Sequence, residues 1–306
     1  MSGEYTVLHA NDGLSLQWFT AFTHTPYFQL TCFHSSIGVD VEKMVFKFDW
    51  WLKHDLCVPP LPEQNKIAEI LSTWDEAIEQ TRALIAAAKR RKKALMHQLL
   101  TGKWRLPGFI GKWKTSRLGY LVSINPETLP ESTDRGREFR YIDLSSVESG
   151  ALSLPPTTTR FCDAPSRARR LLKTGDILLA TVRPGLHGYA YVDFDAGDCV
   201  CSTGFAVLRP KSAHVGGFVY QLLYGEPVQR QFYAMVTGSS YPALNEGDVA
   251  SVHVTVPDPP EQRAIATILT TADEEIKSLE AKCAALERQK KGLMQKLLTG
   301  EIRVKG

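Results

Sequence analysis

The sequence predicts an α+β protein in which a mixed α/β domain lies between two copies of one long helix, and the two helices pair as an antiparallel coiled coil. A proline-rich helix start occurs twice, as PPLPEQNKIAEIL at 59–71 and as PDPPEQRAIATIL at 257–269. The copies also end alike, in ALMHQLLTGKWR at 94–105 and GLMQKLLTGEIR at 292–303. Strand-like runs punctuated by Gly and Pro fill the stretch between them.

Each copy of the repeat predicts one long amphipathic helix. Prolines cannot occupy a helix interior, so each helix is expected to begin just after its proline cluster, at about residues 63 and 261. Glu63 and Glu261, which are 198 residues apart, then fall in the first turn, where a negative charge suits the helix dipole. Gly102 and Gly300 follow the last apolar residues, as helix C-terminal stops do.

Apolar residues recur in both copies at steps of four and three, which predicts a seam along which the helices pair. At ~1.5 Å per residue, ~37 residues make a rod of roughly 55 Å. The alternative is that each amphipathic helix packs on its own domain. The seam positions are Ile67, Leu71, Trp74, Ile78, Ile85, Ala88, Leu95 and Leu99 in the first copy and Ile265, Leu269, Ala272, Ile276, Leu279, Cys283, Leu286, Leu293 and Leu297 in the second.

The repeat divides the chain into four segments: a head at 1–58, the first long helix at 59–108, the α/β domain at 109–256 and the second long helix at 257–306. The α/β domain carries the strand-like runs EFRYIDLSSV, GDILLATVRPG, GYAYVDF, CVCSTGFAVLRP and VASVHVTVP, and one helix is expected across 216–236. The head is expected to hold one helix and a strand or two, too little to bury a core alone at ~58 residues.

Composition predicts a reduced globular protein of the cytoplasm. The 306 residues are 43% hydrophobic and carry a net charge of +3. No apolar run reaches the ~18 residues of a membrane span, and the N-terminus has no secretion-signal pattern, so no membrane contact is expected. The six cysteines form no C-x-x-C pair and no zinc spacing, so we expect neither a disulfide nor a metal framework.

Arginines of the α/β domain are the candidate phosphate contacts. Arg167, Arg169 and Arg170 lie within four residues, a density that suggests phosphate contact, and Arg160 precedes them. A single surface arginine is more often a solvated charge. The basic run KRRKK at 89–93 has two interpretations, a contact with DNA or a partner and a solvated face near a helix C-terminus, and the second is the commoner.

Two short patterns resemble catalytic motifs, and neither fits. DPPE at 258–261 carries a glutamate where amino-methyltransferases need an aromatic ring to stack on a flipped base. PD at 257–258 with EIK at 275–277 matches a nuclease pattern, but its Glu and Lys flank a seam residue on a helix. The sequence has no phosphate-binding loop and no AdoMet glycine motif. We therefore expect a non-catalytic protein that holds no cofactor of its own.

The helix opened by PPLPEQ and closed by LM-x-x-LLTG, repeated around an α/β domain, resembles the specificity subunit of type I restriction-modification enzymes. WKTSRLGYLVSINP, GDILLATVRPG, STGFAVLRP and TGSSYPALN are similar to parts of that family's target recognition domain. The resemblance implies a subunit that reads double-stranded DNA and directs adenine methylation and restriction by two partners, a modification (methyltransferase) subunit and a restriction subunit. AdoMet, ATP and Mg are expected only in those partners.

The same motifs nominate the residues that would contact bases. Arg183 in TVRPG and the loop from 237 to 241 hold the matching positions. The loop candidates are Thr237, Ser239, Ser240 and Tyr241.

The resemblance also identifies a departure from the family, whose members carry two recognition domains. The head resembles the last third of one such domain, with TPYFQLTCFHSSIG at 25–38 set against EPVQRQFYAMVTGSS from 226. We therefore expect a truncated first recognition domain, and expect the second domain to read one half-site and the head none. The alternative is a scaffold that binds the modification subunit through the coiled coil without reading DNA.

Overall fold

A computed structural model describes residues 7–38, 44–148, 150–211, 214–236 and 243–305 of this chain. The chain divides into two compact units. One unit comprises residues 1–88 with 276–306, and the other comprises residues 89–275. Each of the two long helices contributes one end to each unit. None of the helices in the described ranges is long and apolar enough to cross a membrane.

Helices account for the long repeats and for much of the head. Short 3-10 turns lie at Leu144–Ser146 and Pro184–Leu186. The helices of the described residues are, in chain order, α1 Leu16–Thr23, α2 Pro26–His34, α3 Phe48–Trp51, α4 Leu61–Leu99, α5 Leu118–Leu121, α6 Gly216–Leu223, α7 Glu226–Val236, α8 Glu246–Ser251 and α9 Pro259–Leu298.

Most strands belong to two four-stranded sheets of the second unit, with orders β11-β10-β13-β4 and β8-β5-β12-β9, in which β5 and β12 are parallel. Three further pairs are β1 with β2, β3 with β14, and β6 with β7. The mixture of helices and sheets confirms the α+β class. The strands are β1 Ser36–Ile37, β2 Val45–Phe46, β3 Lys114–Arg117, β4 Val122–Ile124, β5 Glu138–Ile142, β6 Val147–Glu148, β7 Ala151–Leu152, β8 Thr159–Arg160, β9 Ala168–Leu171, β10 Ile177–Ala180, β11 Tyr189–Tyr191, β12 Cys199–Ser202, β13 Phe205–Pro210 and β14 His253–Val256.

In the first unit, the helical hairpin α1–α2 packs on the start of α4 and the end of α9. Trp18 is fully buried, and its ring stacks on Phe22 with 5.0 Å between the centroids. The same cluster includes, from the long helices, Ile67, Leu71, Leu297 and Leu298. The long helices therefore supply the core that a segment as short as the head cannot build alone.

In the second unit, β10 is buried on both faces because it lies between two layers. Ile177 and Leu179 face a cluster with α6, α7 and the adjoining ends of the long helices. Leu178 and Ala180 face a cluster that includes Cys201 of the second sheet. The two sheets therefore pack face to face, with the helices covering one side.

Both long helices begin two residues earlier than the prolines suggested. Pro62 is the second residue of α4, and Pro259 and Pro260 open α9. The first-turn amides of a helix have no intrahelical acceptor, so a proline there costs no hydrogen bond. At the far ends, Gly102 and Gly300 adopt positive φ angles of 68° and 78°, as C-terminal stops require.

The two long helices pack together, and they run antiparallel, as the fold-class prediction stated. In the first unit, Asp75 of α4 pairs with Lys290 of α9, and Arg82 pairs with Glu287 at 2.7 Å. In the second unit, further along α4, Lys92 pairs with Asp273 of α9. Residue numbers therefore fall along α9 as they rise along α4.

The structure buries the predicted seam to differing degrees. Thr81, which the pattern skipped, is buried and donates its hydroxyl to the Ala77 carbonyl oxygen at 2.7 Å. The fully buried seam positions are Ile67, Leu71, Ile78, Ala88, Leu99, Ile265, Leu269, Ala272, Ile276, Cys283 and Leu297. The half-buried seam positions are Trp74, Ile85, Leu95, Leu279, Leu286 and Leu293.

Three local expectations were wrong. The single helix expected across 216–236 is two helices, α6 and α7, because Pro227 can occupy only the first turn of a helix and the Gly225 amide instead turns back to the Leu222 carbonyl oxygen. The run VASVHVTVP begins inside α8, and its strand starts at His253. The head holds three helices in its described part, where one was expected.

The internal repeat extends into the head at an offset of 200 residues. The Thr25 amide donates to the Phe22 carbonyl oxygen, as Gly225 donates to Leu222, each at 2.9 Å. Thr25 therefore corresponds to Gly225, and the alignment from the sequence, which set it against Glu226, was shifted by one residue. The hairpins α1–α2 and α6–α7 are thus two copies of one unit.

Replacing Ile78 or Ile276 with Asp should lower the free energy of unfolding by about 3 kcal/mol or more, because the new charge would be buried without a partner. Ile78 is 5% and Ile276 is 9% exposed. Chemical denaturation of both variants measures the change. The matched control is Glu79→Asp on the exposed face of α4, which should stay within about 0.5 kcal/mol of the parent. Equal losses at position 79 and in the seam would show that the seam is assigned to the wrong face.

Candidate nucleic-acid interface

A turn between β12 and β13 joins the two segments that carry the candidate arginines. The Thr203 amide donates to the carbonyl oxygen of Arg167 at 2.9 Å. The amide and the hydroxyl of Thr181 both donate to the carbonyl oxygen of Gly204, each at 2.9 Å. The segment around Arg167 and the loop that follows β10 therefore lie at the same end of the two sheets.

The loop at 181–188 presents Arg183 in an uncommon backbone conformation. Arg183 and His187 both have φ of 51°, in the left-handed region that non-glycine residues seldom adopt. The Leu186 amide closes the turn onto the Arg183 carbonyl oxygen at 2.9 Å. Such conformations persist where surrounding structure holds them, and they concentrate at functional sites. The Arg183 side chain is exposed in this hydrogen-bonded loop.

The remaining loop candidates, Thr237, Ser239, Ser240 and Tyr241, lie outside the described residues. The described residues that resume at 243 adjoin the Arg183 loop. The Leu244 amide donates to the Thr181 carbonyl oxygen at 2.9 Å, and Ala243 forms a β-bridge with Val182. On α7, Tyr233 lies against Gly185.

The four clustered arginines occupy different environments. Arg167 is exposed. Arg160 is also exposed and lies 3.6 Å from the Glu138 carboxylate. Arg169 is half-buried, with its guanidinium 4.9 Å from the centre of the Phe161 ring, which is a cation–π distance. A phosphate contact therefore fits Arg167 best among these residues.

Arg170 is turned inward. It lies on β9, where consecutive side chains point to opposite faces, and its Cα partner on β12 is the fully buried Cys201. One guanidinium nitrogen, Nη1, is buried and has no hydrogen-bond partner in the part of the chain that the structure describes. Burial lowers the pKa of this guanidinium. The expectation that Arg170 holds a phosphate is not supported by this geometry.

Sequence reasoning missed two side chains at this end of the domain. Leu186 is 73% exposed, and Tyr233 is 48% exposed beside the same loop. A large apolar residue directly after a Pro-Gly pair, a sequence that indicates a loop, was the available signal for Leu186. Apolar side chains can contact the methyl group of thymine in the major groove, which makes the exposed Leu186 a further candidate residue for this surface.

The two cysteines on β12 are poor nucleophiles. Burial raises the pKa of the Cys199 thiol to about 11 and also raises the pKa of Cys201, so both thiols stay protonated near neutral pH. No group of three or more potential metal ligands occurs among the described residues. The arrangement suits binding of an anionic polymer and its bases.

Comparison with known families agrees with this arrangement. The sequence model of the type I restriction modification DNA specificity domain matches residues 111–288, which is more than half of the chain. The chain therefore belongs to the family of type I restriction-modification DNA specificity domains.

Two relatives from Methanocaldococcus jannaschii are similar over most of the chain. The specificity subunit of the type I restriction enzyme MjaVIII is 26% identical over 272 residues, covering 81% of this chain and 62% of the relative. The putative type I restriction enzyme MjaX specificity subunit is 27% identical over 269 residues, covering 83% of this chain and 61% of the relative. The chain thus spans about three fifths of the length of these curated relatives.

Solved structures share the fold. A chain from a study of complex assembly and conformational transition of the type I R-M system superposes with a TM-score of 0.57 at 19% identity, covering 96% of this chain and 74% of that one. The type I restriction-modification S subunit from M. genitalium gives 0.56 at 18% identity, covering 93% and 73%.

Replacing Arg183 with Gly should leave the free energy of unfolding unchanged or raise it by up to about 1 kcal/mol. The left-handed conformation costs an L-residue ~1–2 kcal/mol, and glycine avoids this cost. The greater flexibility of glycine in the unfolded chain offsets ~0.5–1 kcal/mol of the stability gained in this way. Arg183→Val, which adds a branched Cβ at the same φ, should lower the free energy by about 1–2 kcal/mol. Urea denaturation of the three proteins measures both changes. A loss for Arg183→Gly as large as that for Arg183→Val would show that Arg183 has a structural role.

Proposed function

We propose that this chain is a DNA-recognition subunit of a type I restriction-modification complex, and that residues 109–256 read one half-site of its target. The observation that carries the proposal is the meeting of the Arg167 segment, the Arg183 loop and residues 243–244 at one end of the two sheets. Membership of the specificity-domain family supports the same function.

Two kinds of contact would act together at this surface. Arg167 would hold a phosphate, which positions the domain without choosing a sequence. Arg183 would donate both arms of its guanidinium to guanine O6 and N7 in the major groove, a contact that discriminates by ~1–3 kcal/mol. Because the turn Thr203–Gly204 binds the backbone of both segments, a phosphate contact would fix the reach of Arg183 toward the base edges.

Catalysis would belong to partner subunits. The thiols of Cys199 and Cys201 on β12 are protonated near neutral pH, and the described residues contain no group of three or more potential metal ligands. We propose that a modification subunit, with AdoMet, methylates adenine, and that a restriction subunit, with ATP and Mg, cleaves. This chain would direct both by choosing the site.

Selection of bound sequences from a random-site duplex library should return one defined half-site for the parent chain with its modification subunit. Arg183→Ala should relax that half-site at one or two positions, because a bidentate contact worth ~1–3 kcal/mol is lost. The control is Arg263→Ala, an exposed arginine on α9 outside the segments that form this surface, which should return the parent sequence. A half-site unchanged by Arg183→Ala would remove that residue from base recognition.

Arg167→Ala should weaken binding to all sequences alike and should flatten the dependence of log K on log salt by about 1, because one phosphate contact is lost. Titration of a fixed duplex at several salt concentrations measures the slope. Arg170→Ala serves as the comparison, because its inward side chain predicts an unchanged slope. If the parent chain binds duplex DNA with no salt dependence at all, the scaffold function replaces recognition.

A further inference from the structure

The first unit contains an open cleft where the C-terminal end of α9 meets the segment before α4. Its volume is about 380 Å³. Beneath it, Arg303 donates two hydrogen bonds to the Glu63 carboxylate, at 2.7 and 2.6 Å. The residues that line the cleft include Cys57, Pro60, Glu63, Gly300 and Arg303.

The second unit has the same construction 198 residues away, and there an indole fills the corresponding space. Trp113 lies against Gly102, where an added Cβ would be 3.4 Å from its ring. Its Nε1 donates to the Glu261 carboxylate at 3.3 Å. The Arg105 guanidinium, which pairs with Glu261, lies 5.7 Å from the centre of the indole ring.

The two copies differ in whether a tryptophan covers the arginine–carboxylate pair. At Gly300, the counterpart of Gly102, no described atom lies within 4 Å of an added Cβ. The side chain of Arg303 is 66% exposed, whereas that of Arg105 is 30% exposed. Both arginines make the same bidentate pair with a buried carboxylate. The difference in exposure between the two arginine side chains therefore comes from the residues that cover them and not from the pair itself.

In the second unit, a strand pairing accompanies the tryptophan contact. The residues directly after Trp113 form β3, which pairs antiparallel with β14, and Thr115 is the Cα partner of Thr255. Their hydroxyl oxygens are 3.3 Å apart. The counterpart of β14 is the segment at 55–58, which forms no strand pairing with described residues. Cys57 on this segment corresponds to Thr255 and is exposed.

We propose that the cleft with the segment at 55–58 binds an extended peptide of a partner polypeptide, whose tryptophan enters the cleft and whose following residues pair as a strand. An unpaired segment of this kind is a template for strand addition, in which main-chain bonds give affinity and a side-chain pocket gives specificity. Glu63 accepts the indole N–H, and Arg303 lies over the ring as a cation–π partner.

The peptide chemistry follows from residues 109–118 of this chain, FIGKWKTSRL, which make these contacts in the second unit. The tryptophan is the required residue. The lysine after it is dispensable, because Pro60 stands where Asp258 lies 3.6 Å from the Lys114 ammonium in the second unit.

Thiol–disulfide exchange on the full chain tests the proposal and its register together. The probe is a synthetic peptide of residues 109–118 carrying Thr115→Cys, activated as a mixed disulfide with 2-thiopyridine. The attacking protein thiolate forms the new disulfide, and thiopyridone leaves. Mass spectrometry then compares labelling of Cys57 with labelling of Cys162, an exposed cysteine of the second unit that serves as the internal control. Labelling by free dithiodipyridine corrects for the intrinsic reactivity of each thiol.

At micromolar peptide, Cys57 should react at least roughly tenfold faster than Cys162 after that correction, because binding raises the effective concentration of the thiol pair. Trp113→Ala in the peptide should abolish the preference, and Lys114→Ala should leave it. Equal rates at the two cysteines, or a preference that survives loss of the tryptophan, would overturn the proposal. A dimer of the intact chain that the unactivated peptide dissociates would also overturn it, by making the occupant a second copy.

Discussion

Two buried carboxylates hold the ends of the paired helices, each through a bidentate hydrogen bond from an arginine beyond the end of the other long helix. Glu63, in the first turn of α4, receives both arms of Arg303, and Glu261, in the first turn of α9, receives both arms of Arg105. A buried carboxylate without its cation is strongly destabilising, so these pairs tolerate little displacement along the helix axes. The antiparallel register is therefore fixed where each helix begins.

A glutamine beside each carboxylate carries that register into the neighbouring segments. Gln64 accepts the Ser15 amide at 2.7 Å and donates to the Pro59 carbonyl oxygen at 2.8 Å. Its counterpart Gln262 accepts the Val215 amide at 3.1 Å and donates to the Pro257 carbonyl oxygen at 2.8 Å. Ser15 and Val215 are the residues before α1 and α6. The start of each long helix thus positions the hairpin that packs on it, and the sequence pattern Glu-Gln has a structural reason in both copies.

The sequence predicted the long helices because their signals are local and periodic. Prolines, a first-turn glutamate, apolar steps and a closing glycine all agree with one another in each copy. It predicted the strands less completely. β3 and β9 are short, polar and half-exposed, so their residues show no alternation of apolar and polar side chains, and pairing with distant strands decides their conformation.

The repeat in the head was also difficult to detect from the sequence. Its hairpin differs from its counterpart in nearly every residue, with Trp18 where Phe218 stands and Phe22 where Leu222 stands. Each pair preserves burial but not identity. Residue identity between the two copies is therefore detectable only from near the start of the long helix, whereas the repeated backbone hydrogen bonds continue through the hairpin.

The arginines illustrate why the candidate interface was harder to predict than the fold. Local charge density selected Arg169 and Arg170, but on an extended strand adjacent side chains point in opposite directions, and these two contact an aromatic ring and the sheet interior. What distinguishes Arg183 is a backbone conformation, which no count of charges detects. A left-handed arginine flanked by Pro184 and by a β-bridge at Val182 is held by its surroundings at an energetic cost. Packing does not require an exposed arginine at that point, so the backbone conformation sets Arg183 apart from the other arginines as the candidate for a contact outside the protein.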